Sequence, residues 1–200
     1  MTSSRLTAVL CAIDKINSED PNQTLVNGHP QANELLYGQY MTSCLEQYFP
    51  QSNELLQIAV RAQHIKRWDL KRTQFDEGKA GYYQWRISQG KFHAELTKSL
   101  MIENDYSEHE AELTACILRK EQLKTNANTQ TLEDVACLVF LQYYFDAFAA
   151  KYTEADNEAK IIRIVKKTWG KMSARGHEIA LSLTLPNHLA TLVGKALADQ

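Results

Sequence analysis

The chain has 200 residues, of which 44% are hydrophobic and 23% are charged; these values are typical of one soluble globular domain and exclude a disordered tail or a coiled-coil rod. The net charge of −2 excludes a generally basic nucleic-acid-binding protein, although a local basic pocket is compatible with it. We therefore predict one domain over residues 1–200.

Composition also limits the fold and the compartment. Gly and Pro, with 8 and 4 residues, are scarcer than in sheet proteins that are rich in turns. The four cysteines lie far apart without a CxxC pair, which is typical of free thiols in a reducing compartment. The apolar patch near the N-terminus is broken by Asp14 and Lys15, and no apolar run reaches the roughly 18 residues that a membrane span requires. We therefore predict a cytoplasmic protein without a membrane partner.

Helical spacing of apolar residues dominates the first half of the chain. It predicts a first helix from Arg5 to Asn17, followed by a long polar loop over residues 18–33. Two further helices are predicted at Asn33–Tyr48 and Asn53–Trp68. The stretch Asp69–Gln89 is predicted to be irregular.

The second half is predicted to be helical apart from short loops. Apolar spacing from Phe92 to Leu100 marks one helix, and a capping box of Ser107 and Glu110 starts the next, which runs to about Leu123. A polar loop then covers residues 124–130, and the remaining helices are predicted at Thr131–Tyr152, Glu158–Trp169, Ala174–Leu183 and Asn187–Ala198. No segment shows the alternation typical of a strand. The predicted fold is an all-α, single-domain helical bundle.

One predicted helical face combines cations with a histidine. In the segment RAQHIKRW, the residues spaced to lie on adjoining arcs of the helix are Arg61, His64, Arg67 and Trp68. The stretch that follows adds further Lys and Arg residues, so this region is locally basic in an acidic protein. This face is a candidate binding site, and a hydrogen-bonded structural role for the histidine is the alternative.

A carboxylate lies on the buried stripe of the predicted central helix. Asp134 shares that stripe with Leu138, Leu141 and Phe145, which follow at helical spacing. A bare buried carboxylate would cost several kcal/mol, so Asp134 must be paired or must bind a metal. Thr131 and Asp134 also have the spacing of an N-cap and its N3 residue, so capping of its own helix is an equal alternative.

The order His64, His93, Asp134 on three predicted helices resembles the ligand order of the HD-domain metal-dependent phosphohydrolases. The segments FHAELTKSLMIENDYSEHEAELTACILRKEQL and TQTLEDVACL are similar to the parts of that superfamily that carry its His-Asp pair and its last Asp. The resemblance implies an HD-domain-like fold and a divalent metal ion, Mn, Fe, Zn or Mg, held by these three residues. One position departs from the superfamily, because Ala94 follows His93 where an Asp is usual. The acidic residues considered as a further oxygen ligand are Glu54, Glu95 and Glu133.

A second resemblance extends over nearly the whole chain. The strings that carry it are RAQHIKRW, AGYYQWR, KFHAEL, QTLEDVACLVFLQYYFDAFAAKY and KTWGKMSARGHEIAL. They are similar to hallmark segments of an uncharacterised family, a domain of unknown function. This resemblance implies no activity.

Two functions are predicted from these patterns. In the first, the metal activates water for the hydrolysis of a small anionic phosphoester, for example a nucleotide. The residues predicted to bind that substrate, as cations for its charge or as aromatic rings for a base, are Arg61, Arg67, Arg72, Arg86, Trp68, Tyr82 and Trp85. In the second, a non-catalytic protein on a degenerate HD-like scaffold binds a small anionic or phosphorylated ligand or partner without turnover, which Ala94 favours. No RNA-binding signature is present, so we expect no nucleic-acid partner.

Overall fold

A computed structural model of the chain describes residues 3–151 and 155–198. Over these residues the secondary structure is mostly α-helical, which confirms the predicted helical class. The residues group into two compact units, 1–132 and 133–200, and the boundary falls inside a helix. The single domain over residues 1–200 stays a prediction. No described helix is both long enough and apolar enough to cross a membrane.

Side-chain caps start several helices of the first unit. Asn53 Oδ1 accepts a hydrogen bond from the Leu56 amide, 3.0 Å away. The predicted capping box is confirmed, because the Glu110 carboxylate accepts from the Ser107 amide while the Ser107 hydroxyl accepts from the Glu110 amide. The helices are α1 (Ser4–Asn17), α2 (Asn33–Tyr48), α3 (Glu54–Ala62), α4 (Gly78–Ile102), α5 (Glu108–Leu118) and α6 (Ala127–Val139), the last of which contains the boundary.

The core of the first unit forms where α3 packs against α1, α2 and α5. Ile58 and Ala59, on the apolar side of α3, are completely closed to solvent. Arg61 lies on the same helix and forms a two-pronged ion pair with Asp14 of α1, with Nε to Oδ1 and Nη2 to Oδ2 distances of 2.6 Å. Apolar packing and this ion pair together join α3 to α1.

A β-hairpin occupies most of the stretch predicted to be a long loop. Strands β1 (Gln23–Val26) and β2 (His29–Ala32) are antiparallel, so the prediction of no strands is wrong. Asn27 and Gly28 connect them with φ of 51° and 80°, the backbone that a tight two-residue hairpin requires and that Asn-Gly adopts readily. The strands are mostly exposed, so they lack the alternation of apolar residues that would have revealed them.

The helix predicted over Asn53–Trp68 ends earlier than its apolar pattern indicates. Helix α3 ends at Ala62, and residues 63–69 form a series of turns. Within these turns Lys66 has φ of 53°, and its amide donates to Asn17 Oδ1 at 3.0 Å. This tertiary hydrogen bond, made by a buried side chain of α1, stabilises a left-handed backbone that a helix excludes.

The stretch Asp69–Gln89, predicted to be irregular, contains the beginning of the longest described helix. After a short 3₁₀ turn at Arg72–Gln74, α4 begins at Gly78 and continues for 25 residues. Its first turns expose large side chains, including Tyr83 and Ile87, so they show no buried apolar stripe. Prediction by periodicity missed this half of the helix for that reason.

Gly81, in the first turn of α4, lies directly against the backbone of Asp76. A Cβ atom at position 81 would be 1.9 Å from the Asp76 carbonyl oxygen. We expect Gly81→Ala to displace the segment before α4 and to lower the free energy of unfolding by about 1–3 kcal/mol, measured by urea denaturation. Gly194→Ala is the matched control, because its Cβ would meet no atom within 4 Å. An equal loss in both variants would contradict the expected clash.

The second unit contains the chain after the boundary in α6. Its further helices are α7 (Phe145–Ala149), α8 (Ala155–Trp169), α9 (Ala174–Ser182) and α10 (Asn187–Leu197), near the predicted positions for the last three. The apolar helix predicted over Thr131–Tyr152 instead begins at Ala127, because Asn126 caps two amides of its first turn. A π-helical turn at Phe140–Tyr144 interrupts it, and its predicted end at Tyr152 lies outside the described residues.

Candidate functional site

Two elements of the first unit bring a carboxylate to His64. The imidazole Nδ1 lies 3.2 Å from Glu34 Oε2. The same ring stacks on Tyr37, with ring centroids 4.0 Å apart and planes inclined by 12°. Glu34 and Tyr37 are three residues apart on α2 and therefore lie on one face of that helix. The turns after α3 thus place His64 against the first turns of α2.

Burial controls the ionisation of this pair. It raises the pKa of Glu34 to about 7, while the nearby Arg67 acts in the opposite direction. Burial lowers the pKa of His64 well below 6.5, and Arg67 adds to that effect. His64 is therefore neutral at pH 7, with one nitrogen that donates and one that accepts a hydrogen bond.

Arg67 contacts the ring of His64. Its Nη1 lies 2.7 Å from His64 Nε2 and 3.3 Å from His64 Nδ1, so the guanidinium approaches both ring nitrogens. The guanidinium carbon lies 5.1 Å from the centre of the Trp85 ring, within the range of a cation–π contact. No carboxylate of the described residues lies within ion-pair distance of Arg67. A half-buried cation is thus held by a neutral imidazole and an indole ring.

His93 approaches this cluster from α4. Its side chain is buried, and its ring centroid lies 6.2 Å from that of His64. Burial lowers the pKa of His93 to about 3 and Arg67 lowers it further, whereas a hydrogen bond to the Gln63 backbone raises it. The second ring nitrogen, Nε2, is closed to solvent and has no hydrogen-bond partner among the described residues.

Three of the predicted substrate-binding residues lie beside Arg67 on the exposed half of α4. Trp85 donates from Nε1 to the Leu70 carbonyl at 2.9 Å, which holds the indole against the turns after α3. The Tyr82 ring centroid is 5.9 Å from that of Trp85. Arg86 donates from Nη1 to the Tyr82 hydroxyl at 3.3 Å. The structure thus brings together Arg67, Tyr82, Trp85 and Arg86.

The other residues predicted to bind the substrate make different contacts. The prediction that one helical face carries Arg61, His64, Arg67 and Trp68 is wrong, because α3 ends before His64. Arg61 is neutralised by its ion pair with Asp14. Arg72 donates to the carbonyls of Phe75 and Gly78, at 2.9 and 3.4 Å, and so orders the start of α4. Trp68 is half-buried in the turns after α3.

Asp134 belongs to the second unit, where it binds the start of α9. Its Oδ1 accepts from the Ser173 amide at 2.8 Å, and its Oδ2 accepts from the Ser173 hydroxyl at 2.5 Å. The predicted alternative, in which Asp134 caps its own helix, is wrong, since α6 begins at Ala127. Gly176 permits the approach, because a Cβ there would lie 2.7 Å from Asp134 Oδ1. The carboxylate therefore anchors α9 to α6.

This anchoring role can be tested by two substitutions of Asp134. We expect Asp134→Ala to lower the free energy of unfolding by about 2 kcal/mol, because the amide and hydroxyl of Ser173 lose their acceptors. Asp134→Asn keeps an oxygen for the amide, so we expect a smaller loss. Urea denaturation followed by circular dichroism measures both. Equal losses would contradict hydrogen bonding as the function of the carboxylate.

The predicted metal ligands fall in different units, with His64 and His93 in the first and Asp134 in the second. Within the chain segments that the structure describes, no group of three or more His, Cys, Asp or Glu side chains is arranged to hold a metal ion. The described contacts do not fit a metal at these residues, because the Arg67 cation contacts both ring nitrogens of His64 and both Asp134 oxygens accept hydrogen bonds from Ser173. The three-residue metal site stays a prediction.

The carboxylate beside His64 is one that the sequence did not single out. Among the acidic residues considered as a further ligand, Glu95 is exposed and lies 4.0 Å from Arg119, and Glu54 accepts from the Tyr106 hydroxyl. Glu133 pairs with Lys171 at 3.2 Å. Glu34 directly follows the polar stretch over residues 18–33. This position beside a long predicted loop is the sequence feature that could have indicated a functional role for Glu34. Its burial arises from the fold.

Comparison with known proteins identifies the family. The family model described as "Domain of unknown function (DUF4202)" matches residues 7–193. The chain therefore belongs to this uncharacterised family, as its segments predicted. No curated protein and no solved structure matches the chain.

Proposed function

We propose that the chain binds a small phosphorylated anion at Arg67 without a bound metal ion. The proposal depends on the burial and the contacts of the Arg67 guanidinium. It is half-buried, contacts the neutral His64 and the Trp85 ring, and forms no ion pair within the described part of the chain. Arg offers planar, two-pronged recognition of phosphate oxygens, so a phosphate is the anion that this side chain suits best.

Arg61 provides an internal comparison for this argument. It lies six residues earlier and its side chain is only 13% exposed, yet Asp14 neutralises it with two hydrogen bonds of 2.6 Å. Arg67 forms no ion pair among the described residues. Burial raises the pKa of the Glu34 carboxyl to about 7, although the charge of Arg67 acts in the opposite direction. A cation that is partly withdrawn from water without a neutralising partner loses hydration free energy, and an anionic ligand would offset that loss.

The surroundings of Arg67 extend the candidate site toward solvent. Arg86 adds a second cation, which is exposed, and Tyr82 and Trp85 add aromatic surface next to it. The stretch of α4 from Gly78 to Phe92 contains no acidic residue. The local field along this part of α4 therefore favours anions although the whole chain is slightly acidic.

Isothermal titration calorimetry tests the proposal directly. The purified chain is titrated with inorganic phosphate, propyl phosphate, glycerol 3-phosphate and ribose 5-phosphate in a buffer that contains EDTA. The expected result is saturable binding of at least one of these anions at one site per chain. Absence of binding to every member of this panel would overturn the proposal. Binding that occurs without EDTA and is lost when EDTA is added would contradict the claim that binding needs no metal.

Metal-dependent phosphohydrolysis on an HD-like scaffold is the second candidate. One observation favours it: His93 Nε2 is a buried, neutral imidazole nitrogen without a partner among the described residues, and neutral imidazole is a common metal ligand. Metal analysis of the purified protein tests this function. It requires near-stoichiometric divalent metal that is lost in His64→Ala, together with phosphate release from the same esters in Mn²⁺ or Mg²⁺. Absence of both would exclude it.

A further inference from the structure

Two buried hydrogen-bond acceptors lie one helical turn apart on α4. Gln89 and His93 are four residues apart, both side chains are buried, and both face the turns after α3. Gln89 Oε1 and His93 Nε2 are closed to solvent and have no partner among the described residues. Buried polar atoms are nearly always hydrogen-bonded, so these two atoms, one helical turn apart, require partners that the described residues do not supply.

The amide of Gln89 has only one orientation that its surroundings allow. Its Nε2 donates to the Arg67 carbonyl at 3.0 Å and to the Leu70 carbonyl at 2.9 Å. Rotating the amide by 180° would place Oε1 against these two carbonyl oxygens and would lose both hydrogen bonds. Oε1 is therefore an acceptor.

The imidazole of His93 has a defined role at each nitrogen. One nitrogen donates to the Gln63 backbone, and because Nε2 has no partner, the donor is Nδ1. The neutral ring then carries its lone pair on Nε2. Both unpartnered atoms, Gln89 Oε1 and His93 Nε2, thus require hydrogen-bond donors.

Both residues contact the neighbours of the proposed anion site. Gln89 Nε2 donates to the backbone carbonyl of Arg67, and the His93 ring centroid lies 6.2 Å from that of His64, which contacts the Arg67 guanidinium. The phosphate group of a monoester dianion has acceptor oxygens but no donor for these atoms. A ligand that satisfies the whole cluster therefore needs a phosphate for Arg67 and O–H groups beside it.

We propose that the ligand of this site is a phosphorylated polyol, whose hydroxyl groups donate hydrogen bonds to His93 Nε2 and Gln89 Oε1 while its phosphate binds Arg67. This inference rests on the proposed anion binding and adds the class of ligand. A site that is built to bond a hydroxyl discriminates against an analogue that lacks it, because the buried acceptors then stay unpaired.

Two matched ligands separate this inference from the proposed function. Glycerol 3-phosphate and propyl phosphate have the same three-carbon chain and phosphate, but only the first carries hydroxyl groups; ribose 5-phosphate supplies a larger polyol. Calorimetry in EDTA is expected to show that the tighter of the two polyol phosphates binds at least about tenfold more tightly than propyl phosphate. Equal affinities would overturn the inference and leave anion binding intact, with the acceptors satisfied by water. Absence of binding to every phosphate would overturn both.

Variants of His93 test the assigned atom. His93→Leu removes the acceptor, and we expect the ratio of polyol phosphate affinity to propyl phosphate affinity to fall to within about threefold of one. His93→Gln restores an acceptor, and we expect it to recover part of the ratio. Gln89→Met provides a second loss of acceptor if His93→Leu does not fold, as judged by circular dichroism. A ratio that neither loss variant changes would overturn the inference.

Discussion

Replacing Arg67 with Gln is expected to weaken binding of the tightest phosphate ester by about 10- to 100-fold. Hydrogen bonds to charged groups contribute about 1.5–3 kcal/mol, and each 1.4 kcal/mol is a tenfold change in affinity. Arg67→Lys keeps the charge but loses the planar fork, so an intermediate affinity is expected. Isothermal titration calorimetry measures all three proteins, and circular dichroism establishes that each is folded.

Arg72→Gln is the control for this experiment. Arg72 belongs to the same basic stretch, but its guanidinium donates to the carbonyls of Phe75 and Gly78. If the anion responded only to the general positive charge of the region, both substitutions would weaken binding equally. That outcome, or an unchanged affinity in Arg67→Gln, would contradict a specific site at Arg67.

Replacing Asp14 with Ala is expected to lower the free energy of unfolding by about 2–3 kcal/mol. The Arg61 side chain is only 13% exposed, so losing its two-pronged partner leaves a largely buried cation unpaired. The expected cost lies below that of a fully buried pair, because the Asp14 side chain is 33% exposed and Arg61 keeps a hydrogen bond to Thr42 Oγ1 at 3.1 Å. Urea denaturation provides the measurement.

Two further variants give this prediction its controls. Glu178→Ala breaks an ion pair with Arg175 in which both side chains are more than 60% exposed, and little change is expected. Combining Asp14→Ala with Arg61→Met removes both charges and is expected to restore much of the lost stability. If Asp14→Ala costs no more than Glu178→Ala, the pair does not stabilise the contact between α1 and α3.

Prediction from the sequence succeeded where a local pattern coincides with burial. The apolar stripe of α3 and the capping box of α5 are determined by residues three and four apart, so they could be identified without a fold. The exposed hairpin and the first half of α4 carry no such stripe, and both were missed. The capping residue of α6, Asn126, lies in a polar segment that was predicted to be a loop.

Some residues of the candidate site could likewise be predicted from the sequence, and others could not. The sequence indicates His64 through its predicted cationic face and His93 through the resemblance to the HD-domain ligand order, and in the structure their ring centroids lie 6.2 Å apart. Whether Asp134 joins them as a third metal ligand stays a prediction, while its bonds to Ser173 give it a structural role. Nothing near Glu34 in the sequence indicates that it meets His64, because the two residues lie 30 positions apart on separate elements.

The sequence by itself determined the helical class, the family and the concentration of cations between Arg61 and Arg86. Only the tertiary structure decided which of these cations lacks a neutralising partner. The two arginines that flank His64 are chemically identical, and they differ because α1 places Asp14 against Arg61, whereas the turn stabilised by Asn17 directs Arg67 to His64 and Trp85. Charge compensation depends on distances of a few ångströms between elements remote in the chain, and local periodicity carries no information about them.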